Sequence, residues 1–248
     1  MKLKWLSKAA TAASLLMFGV PASLAAIALD RTRVIYNAGD KAVGLSISNE
    51  NPKLPYLAQG WLTDDQGQKI TSPLVVLPPL QRIEPGERSQ IKIQALPLAD
   101  SLPQDRETLF YFNLREVPPR SDKPNTLQIA LQTSIKLFYR PKGIVAGEAA
   151  RRQPWQQQLT LTRLGERYQV HNPTPYYITL VDAKPHSAQP TVAGFEPVMV
   201  APYSETLLGG KASLLGLSPV LTYINDYGGR PELLFRCAEQ SCRVTLNH

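Results

Sequence analysis

The 248-residue sequence predicts an all-β protein built from two immunoglobulin-like β-sandwich domains. Three observations carry that expectation. Short runs rich in Val, Ile, Thr, Tyr and Phe recur between clusters of Pro, Gly, Asn and Asp. The 22 prolines are spread along the whole chain and interrupt any long helical pattern. Near the middle, "RPKGIVAGEAARRQP" replaces the β-branched runs with Gly, Ala, Pro and charge, the composition of a link between domains.

The chain opens on a targeting segment. Lys2, Lys4 and Lys8 precede an apolar stretch from Ala9 to Val20, and Ser23 and Ala25 offer small residues for a cleavage site. The expected cut follows Ala25, so residues 1–25 are read as a signal peptide and the mature chain begins "AIALDRTRV". No later segment is long and apolar enough to span a bilayer, so the protein is not expected to be membrane-embedded. Removing the three leader lysines lowers the formal net charge from +7 to +4. Without a basic run interleaved with aromatics, nucleic acid is not an expected partner.

The first domain, 26–143, reads as seven strands: "IALDRTRVIY", "AVGLSISN", "LPYLAQGWLT", "PLVVLPP", "SQIKIQAL", "ETLFYFNLRE" and "NTLQIALQTSIKLFY". Turn chemistry separates them at "NAGDK", "DDQGQK" and "IEPGE". Residues 141–154 form the link. The second domain, 144–248, resumes with "QQLTLTRL", "RYQVHN", "YYITLVDAK", "FEPVMVAP", "SETLLG", "PVLTYINDYG", "PELLFRC" and "CRVTLNH". Its Cys237 and Cys242 are the chain's two cysteines, and in an oxidising compartment they are expected to form a disulfide across a β-hairpin. His171, His186 and His248 lie at unrelated places, so no metal site is expected.

Chemistry-bearing motifs are scarce. No Gly-rich phosphate loop, Gly-x-Ser-x-Gly elbow or His-Glu-x-x-His is present, so no catalytic residue and no cofactor is assigned. An exported β-sandwich hydrolase, with a triad around His171 or His186, stands as the alternative class. The last strand of the first domain raises a different question. In "NTLQIALQ", Leu127, Ile129 and Leu131 alternate with Gln128, Ala130 and Gln132, and so form one apolar face.

"LPQDRETLFYFNLREVPP", from Leu102 to Pro119, resembles the signature of the periplasmic pilus-assembly chaperones, the PapD-like family. "ALDRTRVIYNAGDK", "NPTPYY", "TYINDYGGRP" and the cysteine pair resemble it too, so the likeness covers the whole mature chain. The resemblance implies two immunoglobulin-like domains in an L shape with a cleft between them. It implies a non-enzymatic periplasmic protein that binds pilin subunits by lending them a strand, and delivers them to an outer-membrane usher. Chaperone–pilin pairing is itself a standard example of recognition by strand addition.

Carried over residue by residue, the resemblance makes Asn125, Leu127, Ile129 and Leu131 the donor strand. Arg33 and Lys136 become the anchor for the subunit's C-terminal carboxylate. Glu107, Arg140 and Asp226 become interdomain salt bridges, and Leu57, Gln59, Pro79, Leu80 and Val117 a surface for the usher. Lys136 is out of phase with the apolar row, so a bulge or twist is expected between them. An uncovered donor strand leaves open self-association of the free form.

Overall fold

The computed structural model describes residues 26–145, 147 and 153–245. The proposed signal peptide and its cut therefore lie outside the described residues, as does part of the expected link.

The first domain is a sandwich of two sheets. Its strands are β1 (Ile27–Leu29), β2 (Arg33–Asn37), β3 (Val43–Asn49), β4 (Tyr56–Thr63), β5 (Lys69–Ile70), β6 (Leu74–Leu77), β7 (Leu80–Ile83), β8 (Arg88–Ala95), β9 (Thr108–Val117) and β10 (Gln132–Arg140). One sheet runs β1-β3-β8-β6. The other runs β2-β10-β9-β4-β5, with β7 also paired to β4. Between them lies a core that includes Tyr36, Leu45, Ile91, Phe112 and Leu137. Burying this apolar surface is the main force holding the two sheets face to face.

Two strands differ from the sequence reading. "IALDRTRVIY" is broken at Asp30–Thr32, and its halves belong to different sheets. Asp30 turns the corner: its side chain binds the guanidinium of Arg31 and accepts the Ser46 amide. The first half of "NTLQIALQTSIKLFY" is not a strand in the free chain, where β10 begins only at Gln132. Its ladder partner, β9, runs into Pro118 and Pro119, which have no N–H to continue the pairing.

The second domain is one sheet folded on itself. It comprises β11 (Thr160–Leu164), β12 (Arg167–Asn172), β13 (Ile178–Lys184), β14 (Val198–Val200), β15 (Ser204–Leu207), β16 (Val220–Ile224), β17 (Glu232–Ala238) and β18 (Ser241–Val244), in the order β14-β13-β16-β17-β18-β11-β12-β15. β17 is the corner. Its residues 232–234 pair with β16, and 235–238 pair with β18. β14 and β15 are neighbours in sequence yet lie at opposite ends of the order, so the sheet wraps around its core of Leu161, Tyr168, Ile178, Leu221 and Phe235. A short helix, α1 (Ala212–Leu215), packs Ala212 and Leu215 onto that core. Cys237 and Cys242 stand directly opposite in the β17–β18 hairpin and are disulfide-bonded.

Candidate functional site

The site grows from β10, which does three things along its length. Its odd positions, Ile135, Leu137 and Tyr139, enter the first domain's core. Its even positions, Lys136 and Phe138, face the second domain. Lys136 Nζ donates to Thr179 Oγ1 at 3.1 Å, and the Phe138 ring lies 5.6 Å from that of Tyr177. Arg140 closes the strand and is buried.

Arg33 and Lys136 are brought side by side. β2 runs parallel to β10 and pairs Arg33 with Lys136. Arg33 is only 8% exposed, and its Nη1 donates to the carbonyl of Ile224 at 3.2 Å. Its Nε is buried with no hydrogen-bond partner among the described residues. Burial lowers the pKa of Arg33, against the pull of Asp226 and Glu107. Burial also lowers Lys136, and the neighbouring Arg33 charge lowers it further. Two desolvated cations share one spot and among the described residues neither forms an ion pair with a carboxylate, an arrangement suited to an anion.

Glu107, Arg140 and Asp226 are also brought together. Arg140 donates to Glu107 Oε1 from Nε at 2.9 Å and from Nη2 at 2.7 Å. It reaches Asp226 Oδ2 from Nη1 at 3.0 Å. Glu107 Oε2 accepts the Tyr177 amide at 2.8 Å, and its own amide donates to the Pro175 carbonyl at 2.9 Å. The guanidinium lies 5.2 Å from the Trp155 ring and 4.9 Å from the Tyr176 ring, and these rings stack on each other. Burial pushes the Glu107 carboxyl up to about 7, opposed by Arg140. One arginine of the first domain thus ties a buried glutamate of its own domain to three side chains of the second. A cleft of about 650 Å³ opens beside this network, lined by Arg33, Arg140, Trp155, Tyr223 and Asp226.

Leu127, Ile129 and Leu131 lie beyond the core and are 84%, 63% and 40% exposed. Asn125 begins the segment at φ 55°, a left-handed conformation that Asn tolerates. The Gln128 side chain is bonded to the Pro119 carbonyl, and the Leu131 carbonyl accepts the Glu116 amide at 3.0 Å. The expected bulge is not in the paired strand: Gln132 to Tyr139 match Arg115 to Thr108 without a shift. The period of two therefore keeps Leu131 on the side of Ile135, and Lys136 on the opposite, cleft side.

Leu57 and Val117 are ladder partners, as are Gln59 and Leu80. Pro79 is exposed next to them, and its carbonyl accepts the Gly60 amide at 2.9 Å. Sequence reasoning did not assign the second domain's contributors: Thr179, Ile224, Trp155, Tyr176 and Tyr177. "NPTPYY" was the available signal for the two tyrosines. The hydrolase alternative gains no support. His171 stands on β12 opposite Glu205 of β15, with Nδ1 3.3 Å from Glu205 Oε1, and His186 is an exposed residue after β13.

Residues 26–145 match the model for the pili and flagellar-assembly chaperone, PapD N-terminal domain, and residues 154–235 match that for the pili assembly chaperone PapD, C-terminal domain. The chain is 48% identical over 236 residues to the probable fimbrial chaperone YfcS of Escherichia coli K12, covering 95% of this chain and 92% of that protein. It is 46% identical over 233 residues to the chaperone protein PapD of Escherichia coli, covering 94% and 95%. Among solved structures, a chain in the Salmonella enterica SafA pilin complex with the SafB chaperone matches with a TM-score of 0.71 at 27% identity, covering 86% of this chain and 97% of that one. The chain belongs to the PapD-like family of pilus-assembly chaperones.

Proposed function

We propose that this protein is exported to the periplasm, where its signal peptide is cut after Ala25. There it captures pilin subunits by lending them residues 125–131 as a strand. The domains that do this are taken as 26–143 and 144–248. The observation that carries the reading is the free edge of β10. β2 pairs with β10 only from Lys136 onward, so among the described residues Gln132–Ile135 have no partner on that edge. A subunit strand laid there, parallel to β10, would end where β2 begins. Its terminal carboxylate would then meet Arg33 and Lys136.

The apolar side chains of Leu127, Ile129 and Leu131 would fill the subunit's unfinished core, while backbone hydrogen bonds supply affinity that tolerates sequence variation. The carboxylate would fix the register, which matters because a one-residue slip turns every apolar side chain away. Glu107, Arg140 and Asp226 would hold the angle at which the second domain faces the subunit. The cluster of Leu57, Gln59, Pro79, Leu80 and Val117 would meet the outer-membrane usher.

The test is recovery of subunits from periplasm with the tagged protein beside Arg33→Ala and Lys136→Ala. Small pilin subunits are expected with the parent and absent with either variant. Equal recovery from all three would remove the anchor assignment. Recovery from none would remove the chaperone–subunit reading.

A further inference from the structure

Glu116 is a carboxylate in a core position. It follows Phe112 and Leu114 in the inward phase of β9 and is only 6% exposed. Its Oε2 accepts the amide of Ile27 at 2.9 Å, reaching from one sheet of the sandwich to β1 of the other. Among the described residues no Lys, Arg or His forms an ion pair with it. Among the described residues, the Ile27 amide is the one hydrogen-bond partner of this carboxylate.

The missing cation can come from the chain itself. We propose that Glu116 is a binding site for the protein's own α-ammonium, created when the leader is removed between Ala25 and Ala26. The inference rests on the cleavage position proposed above. Hydrolysis of that bond consumes one water. The Ala25 carbonyl carbon takes the oxygen and leaves with the leader as a carboxylate, and the Ala26 nitrogen takes the protons and becomes an ammonium.

Ala26 is already seated. It is 9% exposed, and its carbonyl accepts the Glu50 amide at 2.7 Å. The next residue, Ile27, touches the carboxylate directly. Consecutive Cα atoms stand about 3.8 Å apart, so the new ammonium falls within reach of Glu116. The other carboxylates on adjoining segments, Glu50 and Glu87, are exposed, and Glu50 is engaged by the Ser48 hydroxyl. The ion pair would sit at the root of residues 125–131, because the Glu116 amide makes the ladder bond to the Leu131 carbonyl.

The experiment uses the exported protein, purified from periplasm. Its first residue is read by N-terminal sequencing, and its α-amine is titrated by NMR after nitrogen-15 labelling. The ordinary α-amine pKa is about 7.7–8.0, and the site is expected to raise it by at least one unit, about tenfold in proton affinity. Glu116→Gln should return it to the ordinary range, and Glu50→Gln should leave it raised. An α-amine on Ala26 that titrates in the ordinary range in the parent protein overturns the proposal, whether or not the Gln variant folds. A first residue other than Ala26 overturns the cleavage position instead, and the site with it.

Discussion

Truncating the exposed row one residue at a time separates the two roles an alternating strand can play. Each methylene moved from water to an apolar pocket is worth about 0.8 kcal/mol, so the three carbons lost in Leu→Ala or Ile→Ala amount to about 2.4 kcal/mol when fully transferred. Only the part exposed in the free protein can be gained on binding. Leu127, Ile129 and Leu131 are 84%, 63% and 40% exposed. Scaling by these fractions gives about 2.0, 1.5 and 1.0 kcal/mol, or losses of roughly 30-, 12- and 5-fold in subunit affinity. The expected order of damage is therefore Leu127, then Ile129, then Leu131. Affinity for a purified subunit, measured by calorimetry beside urea denaturation of the free chaperone, reads both quantities. The free protein should unfold within about 0.5 kcal/mol of the parent, as surface substitutions do. A loss of about 2–5 kcal/mol in its stability, the cost of a Leu→Ala cavity in a core, with unchanged affinity would refute the reasoning.

Three further outcomes follow from the charges and the disulfide. Glu107 titrates at about 7 in the folded chain against an ordinary 4.5, so the folded state holds the proton more tightly. Its contribution is fully present below about 4.5 and is lost as pH rises through 7, so the unfolding free energy should fall across that window. Glu107→Gln should flatten the slope in urea titrations from pH 4.5 to 8, and an unchanged slope would remove Glu107 as its source. Lys136 is lowered by burial and by Arg33, and only its ammonium form attracts a carboxylate. Capture of a peptide carrying a free C-terminal carboxylate should therefore weaken as pH rises through that lowered pKa, and Lys136→Met should remove the dependence. A profile that stays pH-dependent in the variant would point elsewhere. Finally, Cys237 and Cys242 close a loop with a sequence separation of 5. Loop-closure entropy puts its contribution at about 2 kcal/mol, so Cys237→Ser with Cys242→Ser should lower thermal stability by that much while binding at Leu127–Leu131 persists. Equal melting of parent and double variant would show that the closed loop contributes nothing.

Most strands were legible because each carries its own pattern, whereas the short β5 and β7 were not read. Leu45, Ile47, Ile91 and Ile93 alternate with polar neighbours, and that period survives any tertiary arrangement. Sheet membership was not legible. Whether "IALDRTRVIY" is one strand or two depends on Asp30 finding Arg31 and Ser46, a contact between residues 16 apart. Nor could the sequence say that residues 125–131 stand unpaired, since their alternation is the same as that of a core strand. What differs is the neighbour, Pro118–Pro119, whose missing N–H groups end the ladder. The second domain's contacts to Arg33 and Lys136 were hidden for a related reason. Thr179 and Ile224 act through one hydroxyl and one carbonyl, and neither residue type announces such a role.

The phase difference between Lys136 and the apolar row follows from the regular period of the strand. A bulge or a twist is expected only if Lys136 and the row of Leu127, Ile129 and Leu131 are to face the same way. From Gln132 to Tyr139 the register is unshifted, so no bulge lies there and the two faces of β10 point in different directions. One face continues the line of Ile135, Leu137 and Tyr139 out past the end of the sandwich, where Leu131, Ile129 and Leu127 stand exposed and, on the proposed reading, would enter another core. The opposite face turns Lys136 towards Thr179 and sets it beside Arg33. A strand pairing along the free edge between them, as proposed, would meet both faces at once, its side chains alternating between core and cleft while its end met the cations. A regular ladder, rather than a break in it, would then let one strand carry both of the proposed functions.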